Sequence, residues 1–192
     1  MKNNNFERYL RCIIDDSSLN GLIPEILESF IDLRLKKNSL IVKEGENCNY
    51  FCYIESGVLQ HSINIDGDEK TTYLALKNSC TTALKSFLNA TPSNKNIKAL
   101  SKCHLKVIEI NVFNKLMDTN KAFYTFYHNL IKNQIFLIDD YRVDLLTLTP
   151  EERYKKLLIS EPELLNTIPL HYLAAFLGIS KRHMSRIRKN IN

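Results

Sequence analysis

IPLHYLAAFLGISKRHMSRIRKN, residues 168–190, is the stretch whose reading decides the fold. Leu170, Leu173, Ala174 and Leu177 fall at i, i+3, i+4 and i+7, one apolar face of a short helix. Gly178 follows at once, where a residue tolerant of positive φ ends a helix. Ser180 then caps a second helix, in which Met184, Ile187 and Ile191 share one side. At about 100° per residue, Arg182, Ser185, Arg186 and Lys189 land on the other side. An apolar back and a cationic front is how a helix-turn-helix presents a recognition helix to the major groove.

The bland alternative is a solvated charged face. Against it, residues 178–192 hold five Lys or Arg and no acid, and the rest of the chain balances 21 basic against 21 acidic residues. The whole formal excess of +5 therefore sits in this terminal segment. A one-signed patch of this kind marks a polyanion, here double-stranded DNA, as the expected partner.

Working outward, Thr149-Pro150-Glu151-Glu152 is a helix start, with Thr149 as cap, Pro150 as first helical residue and Glu152 completing a capping box. That helix is expected to run to Ser160-Glu161-Pro162. Before it, from Asn111 to about Leu148, the pattern reads as one long helix. Its stripe of Tyr127, Ile131, Gln134, Ile138, Tyr141 and Leu145 recurs every three or four residues. Such a seam either packs on its own domain or meets a partner helix, and the sustained heptad spacing favours a parallel homodimer. From Ser39 to about Ile110 the texture is short β-like runs: LIVKEGEN, YFCYIESG, VLQHSINI, EKTTYLAL and LKVIEI. Gly45, Gly57 and Asp66-Gly67 stand where tight turns are wanted, which suggests a sandwich or barrel-like β unit. Residues up to about Lys37 read as helical, including PEILESFIDLRLKK with Ile26, Leu27, Phe30 and Leu33 on one side.

A 44% hydrophobic and 24% charged composition is globular. No signal-peptide pattern opens the chain and no apolar run reaches membrane-spanning length, so a cytoplasmic location is expected. Five cysteines (Cys12, Cys48, Cys52, Cys80 and Cys103) without a C-x-x-C pair read as free thiols in a reducing compartment, with no metal site expected. The five histidines are scattered and no phosphate-binding glycine loop is present, so no enzyme activity is expected.

Helix, β unit, long helix, helix-turn-helix: this order resembles the Crp–Fnr family of bacterial transcription regulators. The resemblance rests on Lys43-Glu44-Gly45-Glu46 before Tyr50-Phe51, on Ile54-Glu55-Ser56-Gly57, on Leu177-Gly178-Ile179-Ser180 and on Ser185-Arg186-Ile187. It implies an α+β chain in three parts. Residues 1–110 would be N-terminal helices and a jelly-roll-like β-roll sensor, 111–148 the dimerisation helix, and 149–192 the helix-turn-helix DNA-binding domain. The family's base-contacting positions fall on Lys181, Arg182 and Arg186, of which Arg186 suits guanine O6 and N7. Arg182 stands where many members carry an acid, so the preferred half-site should differ. Ser180, His183, Ser185, Arg188 and Lys189 are then phosphate contacts. The homodimer would close through Tyr127, Ile131, Ile138, Tyr141 and Leu145. RNA polymerase is a further candidate partner.

In the sensor the family pattern fails. Cyclic-nucleotide-binding members use a Gly-Glu pair and then an arginine followed by a small residue, yet between Arg34 and Arg142 this chain has no arginine. Thr82-Ala83-Leu84 through Ser93-Asn94-Lys95 corresponds to that stretch, and lysine is only a point-charge substitute for a planar fork. No cofactor is therefore expected, and Thr81, Thr82, Lys85 and Lys95 are the weak candidates for binding some other effector. Another small ligand, a redox signal through the thiols, or a silent scaffold all stay open. The rival from a different class is a ligand-sensing or protein-interaction β-roll whose C-terminal helices do not read an operator.

Overall fold

A computed structural model describes residues 5–160 and 168–191, with no side-chain description for Ile191. The expected helix stop at Glu161-Pro162 lies outside the described residues. The elements run in order α1 Asn5–Ile14, a 3₁₀ turn Ser17–Leu22, α2 Ile23–Ser29, β1 Ile31–Leu35, β2 Leu40–Val42, β3 Tyr50–Ser56, β4 Leu59–Ile65, β5 Asp68–Ala75 and β6 Cys80–Thr81. Then come α3 Leu84–Asn89, β7 Asn96–Ala99, β8 Cys103–Glu109, α4 Ile110–Thr119, α5 Lys121–Thr147, α6 Pro150–Ser160, α7 Leu170–Phe176 and α8 Lys181–Ile191.

The strands form two antiparallel four-stranded sheets, ordered β1-β8-β3-β6 and β2-β7-β4-β5. Both contribute to one apolar core: Phe51, Tyr53, Leu105 and Val107 from the first, Val42, Leu59, Ile97 and Ala99 from the second. Asp66 and Gly67 both take positive φ (52° and 87°), the hairpin geometry that joins β4 to β5 in the strands' own twist. Gly57 has no substitute: at φ +92° a Cβ would stand 2.6 Å from both Cys103 Sγ and the Lys102 carbonyl oxygen.

Two expectations need correction. The helix expected to continue to Lys37 ends at Ser29, and Ile31–Leu35 is a strand paired with β8 from Ile31↔Val107 to Leu35↔Cys103. IDLRL alternates apolar and polar with period two, and the unsatisfied edge of β8 recruits it; the i, i+3 match of Phe30 to Leu33 is coincidental. Nor is residues 111–148 one helix. The chain breaks at Asn120, whose Oδ1 caps α5 by accepting from the Phe123 N–H at 3.0 Å. Its Nδ2 donates to the Leu22 carbonyl at 3.1 Å and to Glu25 Oε2 at 2.7 Å, so the break is bolted to α2.

α5 is 27 residues, or about 40 Å, long. Its first half buries Ala122, Phe123, Phe126 and Leu130 against α1, the 3₁₀ turn, α2 and α4, and Phe113 of α4 meets Phe123 and Tyr127 edge-on at 5.1 and 5.0 Å. A second core joins α6, α7 and α8 through Tyr154, Leu173, Ala174, Leu177, Met184 and Ile187. This core also takes in Val58, Leu74 and Leu100, so the C-terminal helices are seated on the β-roll of the same chain.

Candidate functional site

A cavity of about 690 Å³ lies where the roll meets α5. All four weak candidates for effector binding, Thr81, Thr82, Lys85 and Lys95, line it, which their scatter in sequence did not require. α3 and the loops beside it bring Lys85 and Lys95 to the cavity, β4 and β5 bring His61, Thr72 and Tyr73, and α5 brings Leu130, Ile131, Gln134 and Ile138. Sequence reasoning missed His61, Tyr73 and Gln134 in this role. Of these, His61 shares one face of β4 with the core residue Leu59, two positions before it, although both faces of β4 are buried from Leu59 to Ser62.

His61 is 4% exposed and its Nε2 lies 2.7 Å from Thr81 Oγ1. Burial, aided by the Lys95 ammonium, pushes its pKa down to about 3, so the imidazole is neutral at physiological pH. Most of the hydroxyls are engaged within the protein. Thr82 Oγ1 donates to the Tyr50 carbonyl at 2.9 Å, Ser86 Oγ to that of Thr91 at 2.5 Å, and Ser93 Oγ to that of Lys95 at 2.7 Å. The thiols of Cys52 and Cys80 are buried, and burial raises both, which keeps them protonated and poor nucleophiles.

The second candidate site is the outer face of α8. Gly178 takes φ +70° and ends α7, and the Ser180 Oγ accepts from the His183 N–H at 3.2 Å to start α8. Met184 and Ile187 are buried, whereas Ser180, Lys181, Arg182, Ser185, Arg186, Arg188 and Lys189 are exposed and His183 half-exposed. His183 Nε2 lies 3.1 Å from Glu151 Oε1, tying the helix to the start of α6. There the Thr149 N–H donates to Glu152 Oε2 at 2.8 Å and the Glu152 N–H to Thr149 Oγ1 at 3.3 Å, a closed capping box.

Two residues of the expected dimer seam also have partners inside the chain. Tyr127 packs on Phe51 and Phe113, and Tyr141 stacks on Phe176 at 5.8 Å while its hydroxyl donates to the Phe176 carbonyl at 2.8 Å. Facing outward along α5 are, among others, Tyr124, Ile135, Phe136, Ile138, Tyr141 and Leu145, with Ile131 half-buried.

Elsewhere Asp32, Glu55 and His104 converge on the outer face of the first sheet. His104 spends both ring nitrogens there, Nε2 on Asp32 at 2.5 Å and Nδ1 on Glu55 at 2.9 Å. Lys106 pairs with Asp32 at 2.9 Å and holds its carboxyl below the usual range. An imidazole flanked on both sides, beside an ammonium, is arranged as an ion cluster across β1, β3 and β8.

Residues 32–120 match the model of the cyclic nucleotide-binding domain family. The matched residues take in strands of both sheets and the cavity's roll side. Among solved structures of like fold, FixK2 of Bradyrhizobium japonicum has TM-score 0.70 at 12% identity, over 84% of each chain. The c-di-GMP-responsive global regulator CLP of Xanthomonas campestris has TM-score 0.66 at 18% identity, over 89% of this chain and 90% of that one. A Eubacterium rectale protein assigned to the crp/fnr family of transcriptional regulators has TM-score 0.65 at 16% identity, over 91% of this chain and 82% of that one. At these identities the likeness is one of fold. No curated sequence matches the chain. Among the described residues, no helix is long and apolar enough to cross a membrane.

The cavity's donor set does not fit a cyclic nucleotide. Among the described residues no arginine, aspartate or glutamate lines it, so the phosphodiester lacks a fork and the ribose hydroxyl lacks a carboxylate. Leu84 presents hydrocarbon to the cavity.

Proposed function

We propose that the chain is a sequence-specific DNA-binding regulator of transcription, acting as a homodimer on a two-fold symmetric operator without cyclic nucleotide. The observation that carries this reading is α8: an apolar back seated on α7 and an exposed cationic front that holds no acid of its own, with Glu151 of α6 against His183 at its start. In this reading residues 149–192 are a helix-turn-helix domain, 111–148 the linking and dimerising segment, and 1–110 the effector-like domain. Lys181, Arg182 and Arg186 address base edges, and Ser180, His183, Ser185, Arg188 and Lys189 hold phosphates. The outward apolar line of Tyr124, Ile131, Ile138 and Leu145, at seven-residue intervals, supports pairing of two α5 helices. RNA polymerase is the natural downstream partner of such a regulator.

Selection of duplexes from a random-sequence pool, with wild type and Arg186→Ala in parallel and no added ligand, tests the reading. Wild type should enrich a palindrome, and the variant should lose about 1–3 kcal/mol and relax one position per half-site. Binding should also weaken steeply with salt, by about 0.9 in log K per log salt for each phosphate contact. Absence of salt-dependent duplex binding would reject it.

A further inference from the structure

We propose that the cavity between the roll and α5 binds a monoanionic carboxylic acid with an apolar acyl or aryl body, its carboxylate paired with Lys95. The volume of about 690 Å³ is that of a small-molecule site. Its charge is one-signed. Lys85 and Lys95 line it, no carboxylate does among the described residues, and neutral His61 adds no charge. Lys85 is exposed and solvated, whereas Lys95 is half-buried and close enough to His61 to disfavour its protonation. A half-buried ammonium without a carboxylate beside it is stabilised by an anion that brings one.

The shape of that anion follows from the remaining wall. Phe51, Cys80, Leu84, Leu130, Ile131 and Ile138 present hydrocarbon and a protonated thiol. The hydroxyls of Thr82, Ser86 and Ser93 already donate to backbone carbonyls, and Thr81 is engaged with His61. A sugar or a polyol would therefore enter with its hydroxyls poorly matched, at a desolvation cost. A phosphate monoester would bring nearly two charges and several acceptors to lysines that are point charges and offer no planar fork. One carboxylate on Lys95, with the amide of Gln134 for a second polar contact and an apolar body against α5, satisfies the site. The disagreement with a cyclic nucleotide and the fit to an apolar acid have the same cause: no arginine and no acid in the lining.

Isothermal titration of the full chain with octanoate, 4-phenylbutyrate, octanamide and cyclic AMP tests this. At least one acid should bind, and its uncharged counterpart octanamide should bind roughly tenfold or more weaker than octanoate, the worth of one charge-assisted bond. Lys95→Met should weaken the acids by a similar factor, and Lys95→Arg should retain them, which separates loss of charge from loss of fold. Equal binding of octanamide and octanoate, unchanged binding by Lys95→Met, preference for cyclic AMP over both acids, or no binding of either acid would each overturn the proposal. Duplex selection needs no ligand and this titration needs no DNA, so either reading can fail without the other.

Discussion

At the scale of single residues, burial decides chemistry that residue type leaves open. His61 is held neutral down to about pH 3, while in the unfolded chain it takes up a proton near its ordinary value of 6.5. Stability from this group is intact above about pH 6.5 and is lost as pH falls toward 3, because the unfolded state then binds the extra proton. His61→Gln, which keeps a hydrogen-bonding group near Thr81, should flatten the decline. Melting temperatures from pH 7 to 4 should fall less in the variant than in wild type, and parallel curves would show that other groups govern. Gly57 is the backbone counterpart. Gly57→Ala puts a Cβ into the Lys102 carbonyl at a positive φ, so we expect a loss of roughly 2–4 kcal/mol in urea unfolding. A loss under about 0.5 kcal/mol would mean the Gly57 turn relaxes freely.

At the scale of elements, α5 performs three jobs along its length. Its first half completes the core, its middle closes the cavity, and Tyr141 near its end holds α7. The mean apolarity of the helix is thereby spread round its circumference, and only part of the sequence stripe is left for a partner. Leu145 is on that remaining part and 42% exposed within one chain. Leu145→Glu should therefore leave secondary structure intact by circular dichroism and shift sedimentation from dimer to monomer. Like charges would face each other across a parallel seam. An unchanged sedimentation coefficient would place any dimer contact elsewhere.

At the scale of the whole molecule, one strand separates the cavity from the C-terminal helices. In β5, Tyr73 lines the cavity and its neighbour Leu74 is buried in the core shared with α6, α7 and α8. Successive strand residues point to opposite faces, so this placement follows from pleating alone. Among the C-terminal helices themselves, Arg153 of α6 donates to the Leu148 carbonyl at 2.9 Å and to that of Leu177 at 3.2 Å. Leu74→Ala should cost about 2–3 kcal/mol and speed amide exchange in residues 168–191 more than in β3 and β8. Equal acceleration throughout would mean that the roll and the C-terminal helices unfold as one unit.

What the sequence determined by itself is what local chemistry specifies. The Thr149–Glu152 capping box, the Gly178 stop, the Ser180 start and the Asp66-Gly67 hairpin are each decided within a few residues, so each was readable. So were the two faces of α8, whose polarity repeats at helical period, and the arginine gap that denies the cavity a phosphate fork. Contacts between distant segments decided the rest. Ile31–Leu35 became a strand because β8, more than seventy residues later, offered an edge. Asn120 broke the long helix because Leu22 and Glu25 were there to hold its side chain. Tyr127 and Tyr141 found aromatic partners within the chain, on Phe113 and Phe176. The cavity exists only where Lys95, His61 and Gln134 meet, three residues with no local relation. Hydrogen bonds and caps are short-range and leave a periodic trace, whereas burial and pairing between remote segments leave none until the chain has closed on itself.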